Sequence, residues 1–393
     1  MDRPVIYLDN AASSWPKPPG VAEAMAEAVR DYAANPGRGS HRMAIRAGKT
    51  VAETRARLAK LFGIRNPNDV SFALNTTMAL NMAIKGWVKP GDHVVCTAVE
   101  HNSVRRPLEA LRRSYGVEVT YVETDEAGRL NLERLREALG RKTSLVVVGH
   151  ASNLLGSILP LEDVVRLAHE RGAVVLVDAA QTAGSIPIDV EAMGVDMLAF
   201  PGHKGLLGPQ GTGGLYVRPD LELEPVLHGG TGSQSELPDQ PDVRPDRYES
   251  GTVNTPGIAG LGEGIRYVLE RTPEEIGRHE RRLTERMMEG LAGISGLRLL
   301  GPAIGEPRVG IVAFVADFAE SAEIAFILDQ HYGIAVRSGY HCAPLAHRMA
   351  GTLETGAVRA SVGPFNTEAD VDALVAAMHE IARHYRNKGV RDV

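Results

Sequence analysis

Two side chains near the middle of the chain have types and positions suited to joint chemistry. Lys204 follows a short apolar run, Met197 to Phe200, in the turn Pro201-Gly202-His203-Lys204. A lysine just past a strand, in a turn too glycine-rich for helix, suits an amine that must reach an aldehyde and form a Schiff base. Asp178 closes the apolar run Val174 to Val177. Such a run reads as a buried parallel strand, and open α/β sheets place their ligands at the carboxyl ends of strands. A carboxylate there meets the other demand of pyridoxal 5′-phosphate: it keeps the pyridine nitrogen protonated and the ring an electron sink. Taken singly, Asp178 reads as a helix N-cap or loop charge, and Lys204 as part of a solvated turn.

Further polar clusters end other predicted strands. Val70 to Leu74 leads into Asn75-Thr76-Thr77 and a helix. Free N–H groups, the helix dipole and two hydroxyls make an anion pocket there, and a plain N-cap by Thr76 is compatible with it. His93 to Thr97 leads into Glu100-His101-Asn102-Ser103, and Ser144 to Val148 into His150-Ala151-Ser152-Asn153. Val5 to Leu8 precedes Asp9-Asn10-Ala11-Ala12, small residues that let a ligand approach the backbone. Cys96 lies inside an apolar strand and reads as core. The Gly205–Gly214 turn lacks the strand-then-helix geometry of a dinucleotide site.

Stepping from these residues to the elements that must hold them, the spacing alternates strand, helix, strand. That pattern predicts right-handed βαβ units and a mostly parallel sheet. Helices are expected over 21–32, 44–62, 132–139 and 161–171, over 258–291 with a Thr-Pro break, and over 321–329 and 368–387. Strands at 309–315 and 334–336 belong to a smaller C-terminal domain. The 393 residues allow two domains. We expect an N-terminal segment 1–20 joining the small domain, a large domain 21–257 and a small domain 258–393. A net charge of −6 argues against a general nucleic-acid surface. No apolar run is long enough for a membrane span, and no signal peptide is read at the start. Two cysteines are too few for a disulfide framework, so a reduced, cytoplasmic setting is expected. No metal-binding spacing is read.

In this order the motifs resemble the class V aminotransferases, and within them the cysteine desulfurases. The resemblance runs through D-N-A-A at 9–12, N-P-G-R-G-S-H at 35–41, N-T-T at 75–77, E-H-N-S at 100–103 and H-A-S-N-L-L-G at 150–156. It continues through Asp178 and Gln181, G-H-K at 202–204, R-Y-E-S-G-T-V-N at 247–254, R-S-G-Y-H-C-A-P at 337–344 and R-A-S at 359–361. It implies PLP fold type I, with a mostly parallel seven-stranded sheet in a large domain and a smaller α+β C-terminal domain.

It further implies that Lys204 carries the cofactor, that His101 stacks on its ring and moves protons, and that Cys342 is the nucleophile taking sulfur as a persulfide. Thr76, Thr77 and His203 would hold the phosphate, and Asn153 and Gln181 the phenolic oxygen. Ala11, His41, Asn153 and Arg359 would contact the substrate, with Arg359 forked onto its carboxylate. His41 reads equally as a surface loop histidine. Thr252 would reach a partner subunit's phosphate across a two-fold interface, which implies a homodimer.

The substrate would be L-cysteine, or L-selenocysteine, with an acceptor protein for the sulfur. Another class V reaction is the alternative: selenocysteine lyase, cysteine C–S lyase, aminotransferase or epimerase. The Cys342 segment is short, as in the Suf-type enzymes. Pro344 and nearby glycines suggest a loop, and His341 and Arg337 an electropositive setting for a thiolate. Pro201 departs from the family, whose serine at that position bonds the phosphate. Phosphate binding then leans on Thr76, Thr77, His203 and backbone amides.

Overall fold

The computed structural model describes residues 5–37, 39–140 and 142–389. Arg38, in the loop before His41, lies outside the described residues.

Seven strands form one sheet in the spatial order Val70–Ala73, Gly213–Val217, Met197–Pro201, Val174–Asp178, Leu145–Gly149, His93–Thr97, Glu118–Val122. All neighbours run parallel except Gly213–Val217, which is antiparallel to both strands beside it. The five inner strands are buried throughout, because helices cover both faces. That is why they read as continuous apolar runs rather than alternating ones. One apolar cluster packs each face: Val95, Val146, Val175 and Leu198 point one way, Cys96, Val147, Leu176 and Met197 the other.

A smaller C-terminal α+β unit carries an antiparallel sheet in the order Arg337–Gly339, Ala357–Ser361, Ile311–Ala316, Leu297–Leu300. Helices Pro273–Ala292 and Glu368–Gly389 pack together across it. The N-terminal strand Ile6–Tyr7 pairs with Ile334–Ala335, and Leu8 is buried in the same apolar cluster as Phe314 and Val358. The segment from Ile6 to Leu8 is thus built into the C-terminal unit.

The Thr-Pro break expected in the long helix from near 258 divides it into two helices, Thr255–Arg271 and Pro273–Ala292. Between them Thr272 takes φ 64° and its hydroxyl caps the second helix at Glu275 N–H. The helix after Val70–Ala73 is capped by Asn75, not Thr76: its side chain accepts from Met78 N–H at 2.9 Å. Pro344, which with the nearby glycines suggested a loop, opens a short helix, Pro344–Met349.

Candidate active site

The carboxyl ends of five strands converge on one cavity of about 220 Å³. Met197–Pro201 delivers His203 and Lys204, and Val174–Asp178 delivers Asp178 and Gln181. Leu145–Gly149 brings Asn153, His93–Thr97 brings Glu100 and His101, and Val70–Ala73 brings Thr76 and Thr77. The C-terminal unit closes the cavity with Arg337, His341, Cys342 and Arg359, and the N-terminal segment adds Ala11. A larger groove of about 1050 Å³ lies at one end of the small sheet, but its lining includes no lysine, histidine or cysteine.

The register of the sheet fixes the centre. Asp178 sits level with Gly149 on one neighbour and Ala199 on the other. Its Oδ1 accepts from Ala180 N–H at 2.9 Å. Burial raises its pKa, opposed by that bond and by Lys204. Burial likewise lowers Lys204, to about 8; Asp178 works against this, while Arg359 and Arg337 add to it. The amine therefore gives up its proton near pH 8, far more readily than an ordinary lysine, and so reaches its nucleophilic form more easily.

The turn holding Lys204 is clamped from below. The Ser14 hydroxyl donates to its carbonyl at 2.9 Å, and Ser14 N–H to that of His203 at 2.9 Å. Lys17 donates to the His203 carbonyl at 3.1 Å, and Ser13 Oγ lies 3.2 Å from His203 Nδ1. Serines 13 and 14 and Lys17 were not singled out in the sequence; their position just after the D-N-A-A turn was the available signal.

His101 caps the helix Asn102–Tyr115. Its Nδ1 accepts from Ser103 N–H at 3.0 Å and lies 2.9 Å from Ser103 Oγ. Burial first, then the cations Lys204, Arg337, Arg106 and Arg359, pull its pKa to about 4. A pKa near neutrality, expected from residue type, is not what this setting gives: the imidazole is neutral, with its proton on Nε2. Ser103 Oγ also lies 2.7 Å from Thr77 Oγ1, so the threonine turn and the His101 turn support each other. Behind them Glu100 is buried and accepts from Thr97 Oγ1 at 2.6 Å and Gly149 N–H at 2.9 Å.

Cys342 is exposed and lines the cavity. His341 and Cys342 take φ of 49° and 56°, and Ala343 N–H returns to the Tyr340 carbonyl at 2.9 Å. Two adjacent non-glycine residues in the left-handed region store backbone strain, which surrounding contacts must hold in place. Asn153 Nδ2 donates to the His341 carbonyl at 2.6 Å, and Asn102 N–H to that of Cys342 at 2.8 Å. His341 does not supply positive charge: burial, then Arg359 and His347, push its pKa to about 3. Arg337 and Arg359, in register on adjacent strands, line the same cavity as this turn.

Two expected residues lie outside the cavity of this chain. His41 is exposed and caps the helix Arg42–Leu61, its Nδ1 accepting from Ala44 N–H at 3.4 Å. Thr252 is exposed and accepts from Asn35 Nδ2 at 3.4 Å, so the two loops share one face.

The cavity fits a pyridoxal 5′-phosphate. A buried amine, a buried carboxylate and a helix start bearing two hydroxyls surround it. Buried Asn153 Oδ1 and Arg359 Nε, on residues lining it, have no protein partner. A parallel sheet with one reversed strand, an amine past one strand and a carboxylate ending its neighbour define an enzyme of PLP fold type I. The chain belongs to the class-V aminotransferase family, whose model matches residues 6–374; the family works with pyridoxal 5′-phosphate.

Its relatives include a probable cysteine desulfurase of Methanothermobacter thermautotrophicus, 38% identical over 386 residues, covering 96% of this chain and 94% of that one. A cysteine desulfurase of Escherichia coli O157:H7 is 36% identical, with 97% and 94% covered. Among solved structures, the apo cysteine desulfurase of Thermococcus onnurineus NA1 superposes with a TM-score of 0.91 at 36% identity, covering 97% of this chain and 95% of that one. An Escherichia coli cysteine desulfurase in an S-sulfonic acid form gives 0.87 at 28% identity, with 97% and 95% covered.

Proposed function

We propose that this protein is a cysteine desulfurase that converts L-cysteine to L-alanine and takes the sulfur onto Cys342. The observation that carries this reading is the pinned turn that sets an exposed Cys342 at the same cavity as Lys204. In balance, the substrate's C–S bond breaks, an S–S bond forms at Cys342, and the thiol proton goes to the substrate carbon.

Lys204 would bind the cofactor covalently, and Asp178 would be the carboxylate that keeps its ring nitrogen protonated. Thr76, Thr77 and His203 would hold its phosphate, and Asn153 and Gln181 its phenolic oxygen. When bound, the cofactor supplies an electron sink for the substrate's α-carbon. His101, neutral with its proton on Nε2, would lie against the ring and orient it. Lys204, with an amine that gives up its proton near pH 8, would be the group that moves the α-proton. Arg359 receives the substrate carboxylate, and Ala11 and Asn153 bound the same space. Cys342 attacks as a thiolate in the field of Arg337 and Arg359.

The wider reading follows the same lines. The N-terminal segment 1–20 joins residues 258–393 in a small domain beside the large domain 21–257; the shared core of Leu8 with Phe314 supports this. Thr252, in contact with the loop residue Asn35, and His41, also exposed, serve a partner subunit's site in a homodimer. An acceptor protein takes the persulfide from the short Cys342 segment. Two free cysteines suit a reduced, cytoplasmic setting; among the described residues no helix is long and apolar enough to cross a membrane.

Cys342→Ala tests the reading. The variant keeps its bound cofactor colour but forms no persulfide from L-cysteine, and alanine production falls at least about 100-fold, the scale of losing a covalent step. Alanine release at the wild-type rate, with L-cysteine or L-selenocysteine, assigns a lyase that does not need the thiol and overturns the proposal.

A further inference from the structure

Arg359 is 1% exposed, and a guanidinium so deeply placed needs a counter-charge. It has one in Asp9: Nη2 donates to Asp9 Oδ1 at 2.8 Å, while Nη1 donates to the Asn153 carbonyl at 3.0 Å. Two acceptors at different angles fix the plane of the guanidinium. Its Nε is buried without a partner, which leaves a donor for a ligand.

Asp9 is itself firmly held. It bridges to Ser361 on the strand that carries Arg359, and Ala11 N–H donates to Ser361 Oγ at 2.9 Å. Asn10 Nδ2 donates to the Ser361 carbonyl at 3.2 Å and to Asn366 Oδ1 at 3.0 Å. Arg337 and Arg359 are level with each other on adjacent strands, and of the two it is Arg359 that Asp9 pairs with.

We propose that Asp9 is a positioning residue that presents Arg359, correctly oriented, to the carboxylate of the amino-acid substrate. This rests on the reading that Arg359 receives that carboxylate. Asp9 is not among the residues lining the cavity; it acts chiefly through its ion pair with the arginine, its charge adding only a small upward push on the Lys204 amine.

The test is equilibrium binding to the cofactor-loaded enzyme, followed by absorbance and by thermal stabilisation. The probes are L-alanine and cysteamine, an amine without a carboxylate. Asp9→Asn weakens L-alanine at least about tenfold, the low end for disturbing a buried charge pair, and leaves cysteamine within about twofold, since no carboxylate meets Arg359. Unchanged L-alanine binding, or equal weakening of both probes, overturns the proposal. Asp9→Glu keeps the charge and covers the case in which Asp9→Asn does not fold: its longer arm also weakens L-alanine selectively, and wild-type affinity for both probes counts against Asp9. Arg359→Ala separates the two levels of inference. If it binds L-alanine normally, the carboxylate reading of Arg359 fails; if it loses L-alanine while Asp9→Asn keeps it, only the role of Asp9 fails.

Discussion

At the scale of single residues, the site is a set of opposed pressures on a few protons. Burial favours the neutral form of Lys204, and Asp178 favours the charged one; the balance falls at about 8. Capture of the cofactor by the cofactor-free protein requires the neutral amine. Capture should therefore quicken as pH rises and level off above about 8, measured as borohydride-trapped label on the Lys204 peptide. Asp178→Asn removes the one nearby charge that most raises this pKa, so the midpoint moves to lower pH. A midpoint that stays fixed, or moves up, shows that Asp178 does not govern the amine. The histidines obey the same physics in the opposite sense from their residue type. His101, His203 and His341 are all brought to about 4 or below by burial among cations, so they accept or orient rather than carry charge.

At the scale of elements, the site depends on backbones that approach without side chains between them. Gly184 has φ 97°, and a Cβ there would lie 2.2 Å from the Gly205 carbonyl, directly beside Lys204. Gly184→Ala should cost about 2–4 kcal/mol from strain plus clash and displace the lysine turn. Gly116→Ala, at φ 64° with open space around it, should cost only about 1 kcal/mol. Equal denaturant midpoints for the two variants would show that the contact is not tight.

These elements were unevenly legible in the sequence. The buried strands stood out because apolar runs ending in Asp178, Asn153, His101 and Lys204 have few other readings. The helix Asn102–Tyr115 was not read, because Pro107 interrupts its pattern. Asn75 lost the cap to Thr76 because both are good cap residues and only backbone angles decide between them. Asp9 was seen only as part of a turn, since its partner lies 350 residues away on a strand whose register no local pattern gives.

At the scale of the whole molecule, the two units meet across a small cavity of about 40 Å³ behind Lys204. Glu280, on the long helix Pro273–Ala292, turns its carboxyl into that seam. A Cβ on Gly310 would come within 3.3 Å of its Oε2. Lys204 is the one other ionisable residue among those described around the cavity. Arg308, next in sequence to the lining residue Val309, is spent on the carbonyls of Pro302, Leu155 and Leu300, and His279 lies 2.9 Å from that of Asn366. Burial alone pushes Glu280 up to about 8.

The folded protein thus binds this proton more tightly than the unfolded chain does. The contribution to stability is complete below the ordinary carboxyl range and is lost as pH climbs through about 8. Each unit of that window is worth about 1.4 kcal/mol. Glu280→Gln keeps the shape of the neutral acid without its proton. Relative to wild type it should therefore gain about 2 kcal/mol or more between pH 6 and pH 9, read from urea midpoints at both values. A difference that does not change with pH would mean the carboxyl reaches water and titrates freely. A growing difference would mean that the seam between the two units, on which both Arg359 and the Cys342 turn depend for their place over Lys204, is closed most firmly while Glu280 keeps its proton.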